Sequence, residues 1–240
     1  MATKKATENA AIQNTETTAI FIAAPTFSTM TIRLCGTTPL IVHAWSHKSK
    51  AMMLAAMQET VKVKKKEREI RIPMEDYLES AYRIGGQFEY NRALSEQENL
   101  DKAIEEWKNG NEFGIPAKGL KACATAGAYR AGLVKNQVIC RAAFFIEGEG
   151  DDFLVPIHTP VFPRMREDTV RVGMGSTDLR YRPQFDEWYC DVPVKFNKDL
   201  IDANSLVNMF MIGGQGVGMC EDRIEKGGNY GTFIVVPNPN

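Results

Sequence analysis

The segment IPAKGLKACATAGAYRAGL, residues 115–133, decides the fold. Proline has no backbone N–H to donate, so Pro116 suits a helix start and not a helix interior. Alanine, leucine and lysine dominate the residues that follow, and they predict a helix from Ala117 to about Leu133. Beyond it the pattern turns apolar and β-branched. Residues 138–146 and 153–157 predict neighbouring strands joined by a turn over 147–152. Residues 190–196 alternate, with Val192, Val194 and Phe196 on one face, and predict a strand returning to the same sheet. Asn197 is placed to cap a second helix carrying Leu200, Val207, Phe210 and Met211. Residues 30–36 predict the opening strand and 232–236 the closing one. Strand, helix, strands, helix, strand is the βαββαβ order of a ferredoxin-like (RRM-like) palm, an α+β fold.

Two stretches stand outside that order. Residues 46–113 predict a helical insertion. A Met- and Ala-rich helix opens at Ser46, a short one follows Pro73, and a third starts at the Ser95/Glu98 capping box. Residues 158–189 hold few apolar side chains for their length and predict a projecting, thumb-like hairpin. Residues 30–240 then form a single α+β domain. Ahead of it, residues 1–29 carry seven Ala, seven Thr and no Gly, and read as a flexible N-terminal arm. Ile20, Phe21, Ile22 and Phe27 make the arm apolar enough to clasp a neighbouring subunit.

The charge balance excludes a polybasic coat protein and an acidic tail: 29 Lys+Arg stand against 30 Asp+Glu, a net charge of −1. It leaves room for a local basic groove on a neutral body. No apolar run reaches the roughly 18 residues that span a bilayer, and no secretory signal is visible. The five cysteines (Cys35, Cys123, Cys140, Cys190, Cys220) form no C-x-x-C pair and read as buried free thiols in a reducing cytoplasm.

No nucleophile elbow, Walker lysine loop or H-E-x-x-H motif is present, so no catalytic constellation, cofactor or metal site is expected. His43 and His47 share metal-ligand spacing, but they straddle the helix start at Ser46 and no third ligand stands nearby. Three other segments carry recognition chemistry. Lys118 and Lys121 lie in the first turn after Pro116, where free N–H groups and the helix dipole favour an anion; ordinary exposed lysines at a helix start explain them equally. Arg164, Arg166, Arg171, Arg180 and Arg182, with Tyr181 among them, suit phosphate forks and base stacking. A surface hairpin held by local ion pairs is the competing explanation. The Gly-rich stretch GGQGVG at 213–218, with Arg223, Lys226 and Tyr230 after it, reads as a loop that lets backbone approach a phosphodiester chain at Gly216 and Gly218. The basic run over 62–71, including Lys64 and Lys65, reads as a solvated face.

Ile115-Pro116-Ala117-Lys118-Gly119-Leu120-Lys121-Ala122 resembles the I-P-G-S-S-L-K-G helix start of the RAMP superfamily, with Lys118 and Gly119 where that family has small hydroxyl residues. Gly216-Val217-Gly218 resembles the first half of its late G-h-G-x5-G-h-G loop, and Gly228 and Gly231 follow the second half loosely. The chain is similar in these respects to the backbone subunits of CRISPR effector complexes, or to a virus-encoded relative. The resemblance implies a hand-shaped protein with a palm, a helical insertion and a thumb. It also implies non-enzymatic binding of single-stranded nucleic acid, RNA ahead of DNA, as a repeating homo-oligomer or filament with possible further subunits. The alternative of a different class is a structural or assembly protein, such as a viral particle component, whose N-terminal arm clasps its neighbour.

Overall fold

The computed structural model describes residues 24–45, 47–58, 70–172 and 175–237. In chain order the first half holds β1 (Phe27–Gly36), β2 (Leu40–Ile41), α1 (His47–Gln58), α2 (Pro73–Glu79), α3 (Glu96–Lys108), β3 (Gly114–Pro116) and α4 (Ala117–Arg130). The second half holds α5 (Gln137–Ala142), β4 (Phe144–Ile146), β5 (Leu154–Pro156), β6 (Arg164–Val172), β7 (Ser176–Phe185), β8 (Tyr189–Asn197), α6 (Ala203–Gly216) and β9 (Phe233–Val236). The protein is a mixed α+β fold with antiparallel sheets. None of its described helices is long and apolar enough to cross a membrane.

The central sheet has the order β4-β8-β1-β9. Its longest pairing runs β1 against β8 from Phe27↔Asn197 to Cys35↔Tyr189. Alternation decides which face is covered: Cys190, Val192, Val194 and Phe196 are buried with Ile32 and Leu34, while Lys195, Tyr189, Thr29 and Thr31 are exposed. Residues of α4 and α6 complete the core on the buried face, among them Leu120, Ala124, Leu206 and Phe210. Each fully buried aliphatic or aromatic side chain there contributes about 1.5–3 kcal/mol of transfer free energy.

The two helices meet through glycine. A Cβ on Gly127 would lie 2.5 Å from the Gly213 Cα, and one on Gly214 would lie 2.3 Å from the Phe233 carbonyl oxygen. Gly213, Gly214 and Gly216 are therefore helical residues of α6, correcting the expectation of a Gly-rich loop from 213. Gly213 and Gly214 serve helix–helix and helix–strand contact, whereas the would-be Cβ of Gly216 has open space around it.

Three other expectations change. Residues 138–142 are helix and not strand. Asn136 caps that turn by accepting from the Val138 and Ile139 amides, which leaves only 144–146 extended. The stretch at 153–157 supplies β5, which pairs with β3 and not with β4. The second helix is capped by Asp202, whose side chain accepts from the Ser205 amide; Asn197 instead closes a turn by accepting from the Asp199 amide, and Leu200 stays exposed. The Ser95/Glu98 capping box is present at α3.

β1 begins at Phe27, because Thr26 is held on both sides: its amide donates to Asp199 at 3.0 Å and its carbonyl accepts from the Lys198 amide at 2.8 Å. The end of the arm assigned to 1–29 is therefore strand from Phe27; its residues 1–23 lie outside the described residues, as do Ser46 and the basic run up to residue 69. The insertion contains α1, α2 and α3 as three helices. The 158–189 segment is a long hairpin, β6 against β7 from Arg164↔Gln184 to Val172↔Ser176. Its base is not free: β7 pairs with β2, and Tyr181 and Phe162 pack on a small second core of Tyr77, Leu78, Phe88 and Ala103.

Candidate nucleic-acid interface

Pro116 is the N-cap of α4, and the Ala117 amide donates to the Phe153 carbonyl at 2.9 Å. One of the amides expected to meet an anion is thus already bound. The two lysines of this turn diverge. Lys118 is exposed, whereas Lys121 lies over the rings of Phe145 (4.9 Å) and Phe144 (5.3 Å), where burial lowers its pKa.

The hairpin arginines fall into different environments. Arg164 pairs with Asp186 at 2.9 Å and Arg180 with Asp178 at 2.9 Å, both at the surface. Arg171 is exposed near the free end of the hairpin. Tyr181 is half-buried, its hydroxyl raised in pKa by a hydrogen bond to Glu167 across the ladder. Arg166 pairs with Asp168 at 2.7 Å and donates to the Gln184 side chain and the Tyr230 hydroxyl. Arg182 departs from expectation: its side chain is 7% exposed, 3.6 Å from Asp168 and 3.7 Å from Glu221, with its Nε unbonded. It belongs to the interior, because β7 turns this side of the ladder toward the 219–222 segment.

After α6 the chain turns at Gly218 (φ +75°), a buried residue whose would-be Cβ lies 3.1 Å from the Arg223 Cβ and 3.2 Å from the Tyr230 carbonyl. Arg223 forks onto Glu225 at 3.0 and 2.8 Å and donates to the Cys220 carbonyl. Glu225 also receives Arg130 from α4 at 2.5 Å; the Arg223 hydrogen bond first, then Arg130, lower its pKa despite burial. Arg223 and Tyr230 bridge the two ends of the loop, and Lys226 points to solvent.

Two grooves meet at His43 as a shared lining residue. A groove of about 570 Å³ runs between the small-residue face of α4 (Gly119, Ala122, Ala126) and the Gly218 turn, with Arg130, Arg141 and Arg223 along it. A second groove, about 430 Å³, is lined by Trp45, Arg71, Arg180 and Tyr181. His43 lines both. Burial, then Arg182, lowers its pKa, against the opposing carboxylate Glu221. Its pairing with His47 in a metal site involves a side chain outside the described ones, and no group of three metal-ligating side chains exists among the described residues.

Gly218 and Arg223 thus line the first groove and Arg180 and Tyr181 the second. Lys121, Arg164, Arg166, Arg171, Arg182, Gly216 and Tyr230 line neither, and Lys118 and Lys226 point to solvent. Sequence reasoning missed Trp45, Arg130 and Arg141. Arg130 and Arg141 carried a signal: they stand eleven residues apart, with only a short turn between their helices. Compared with family models and with curated proteins, the chain matches none.

Proposed function

We propose that the protein binds single-stranded nucleic acid, RNA in preference to DNA, along its sugar-phosphate backbone and without catalysis. The observation that carries this reading is the sharing of His43 by two grooves. Through it, the small-residue face of α4, the Gly218 turn and the hairpin base line one path. Five arginines (Arg71, Arg130, Arg141, Arg180, Arg223) line that path. Most of them rest on carboxylates: Arg71 and Arg180 on Asp178, Arg130 and Arg223 on Glu225. These pairs are partly exposed and each contributes only about 0–1 kcal/mol, so a phosphate can share the guanidinium forks with carboxylates that stay in place, Glu221, Glu225 and Asp76 among the groove linings. Trp45 and Tyr181 supply rings on which bases stack.

The strand order β4-β8-β1-β9, with α4 between β1 and β4 and α6 between β8 and β9, supports reading the core as a ferredoxin-like palm. The three-helix insertion and the β6–β7 hairpin suit the insertion and thumb of a RAMP backbone subunit. On that reading the chain repeats as a homo-oligomer along the strand.

Fluorescence anisotropy with a mixed-sequence 20-mer, as RNA and as DNA, tests the proposal. Binding should be insensitive to sequence and weaken with salt, by a slope of about 0.7 per phosphate contact. Absence of salt-sensitive binding at micromolar protein would overturn it. Nuclease treatment separates it from a pure assembly role: a nucleic-acid-templated filament falls apart, and a particle subunit keeps its size.

A further inference from the structure

The face of the central sheet turned away from α4 and α6 carries an aromatic patch that the groove does not use. Phe145, Lys195 and Thr29 stand in one row across β4, β8 and β1 by register, and Phe27 lies two residues along β1 on the same face. The Phe27 and Phe145 rings are 6.2 Å apart and remain 41% and 47% exposed. Each has an ammonium group against it: Lys195 Nζ lies 5.3 Å from the Phe27 centre and Lys121 Nζ 4.9 Å from the Phe145 centre, Lys121 arriving round the β4 edge from α4. Among the described residues neither lysine forms an ion pair. The hydrophobic core does not require these rings, since it lies on the opposite face of the same strands.

We propose that this patch is a second stacking platform for single-stranded nucleic acid, with bases on Phe27 and Phe145 and phosphates at Lys121 and Lys195. Two open rings, each with an ammonium group against its face, suit a flat, polyanionic ligand that stacks on the rings and meets the two cations, even with Glu147 and Asp199 at the margins of the patch. The inference rests on the nucleic-acid reading for its ligand class, but none of its four residues lines the two grooves at His43.

The test compares the full-length wild type, the double variant Phe145→Ala/Lys195→Ala, the single variant Phe145→Trp and a groove variant Arg130→Ala/Arg223→Ala, using oligo-U of 10, 20 and 40 nucleotides. The platform double variant should bind at least about tenfold more weakly, with the salt slope reduced by about 0.7. Phe145→Trp should retain or tighten binding. Wild-type affinity in the platform variant would overturn the platform while leaving the groove reading intact. Equal loss in Phe145→Ala/Lys195→Ala and Phe145→Trp would also overturn it, because a ring is present in one and absent in the other. No binding by the wild type would overturn both.

Discussion

Arg166 ties the hairpin to the C-terminal loop through Tyr230: its Nη1 donates to the hydroxyl at 2.9 Å, and its guanidinium carbon lies 4.6 Å from the ring centre. A second tie, Arg182 toward Glu221, runs parallel to it. The thumb-like hairpin is therefore tied at its base to the loop that carries Gly218. Tyr230→Phe removes the hydrogen bond and keeps the ring, and should lower stability by about 0.5–1.5 kcal/mol in urea unfolding. Tyr230→Ala removes both contacts and should cost more. If the two substitutions are equally costly, the ring contact contributes nothing.

Arg180 and Arg182 stand two apart on β7 and look alike in sequence, but burial divides them. Arg180→Ala should leave the fold intact and flatten the salt dependence of binding by about 0.7, one single-strand phosphate contact. Arg182→Ala should destabilise by about 1–3 kcal/mol, because it empties a buried site and removes one of the two guanidinium groups beside Asp168, leaving Arg166 as its remaining partner. Arg182→Met, which fills the space without a charge, should recover part of that loss. Thermal melts of the three variants decide the matter, and identical midpoints would place Arg182 at the surface.

The glycines offer a cleaner contrast. Gly127→Ala puts a methyl group against the Gly213 backbone and should destabilise by at least about 1–3 kcal/mol through overpacking. Gly216 is exposed near the end of α6 with nothing within 4 Å of its would-be Cβ. Gly216→Ala should thus stabilise by up to about 1 kcal/mol through helix propensity. It should also leave nucleic-acid affinity unchanged, since Gly216 lies off the groove. Calorimetry and anisotropy on the same two proteins check both halves.

These cases show what sequence conveyed and what it withheld. The element order was readable because β8 alternates strictly and α3 announces its start with Ser95 and Glu98. Length and pairing were not: Asn136 converts an apolar, strand-like run into a helical turn, and β5 finds its partner in β3, forty residues upstream. The same limit governs the site. A run of arginines states its charge but not its exposure, so Arg182 was indistinguishable from Arg180 until β7 faced the 219–222 segment. Glycine likewise marks close approach without saying to what, and at Gly213 and Gly214 the answer is another helix and a strand. His43 drew attention only as a metal ligand, since nothing local to it reveals that it lies between two grooves.

The Arg33–Asp191 pair sits across β1 and β8 with two hydrogen bonds, at 2.7 and 2.6 Å. The Arg33 hydrogen bond, against burial and with help from charge attraction, holds the Asp191 carboxyl below its ordinary 3.8. A depressed carboxylate contributes stability that is present above the unfolded value and lost as pH falls through the folded one. The wild type should therefore lose stability below about pH 4, and Asp191→Asn should show a shallower acid limb in pH-dependent urea unfolding. An unchanged limb would mean that the pair makes no net contribution.

His43 carries the last prediction. Burial first, then the neighbouring guanidinium of Arg182, hold its pKa below the ordinary 6.5; Arg180 acts in the same direction, and Glu221 and Asp76 oppose them. The folded protein thus keeps His43 neutral where the unfolded chain would protonate it. Stability is complete above about pH 6.5 and declines as pH falls below that value. A phosphate in the groove reverses the sign for binding, because a nearby anion favours imidazolium. Binding should then take up a proton, and affinity should rise from pH 8 to pH 6 even as the free protein loses stability. His43→Gln should abolish both pH dependences while retaining most of the affinity at pH 8. Anisotropy titrations at pH 6, 7 and 8, paired with urea unfolding at the same values, measure the two opposed slopes. Affinity that is flat with pH in the wild type would take His43 off the path of the bound strand.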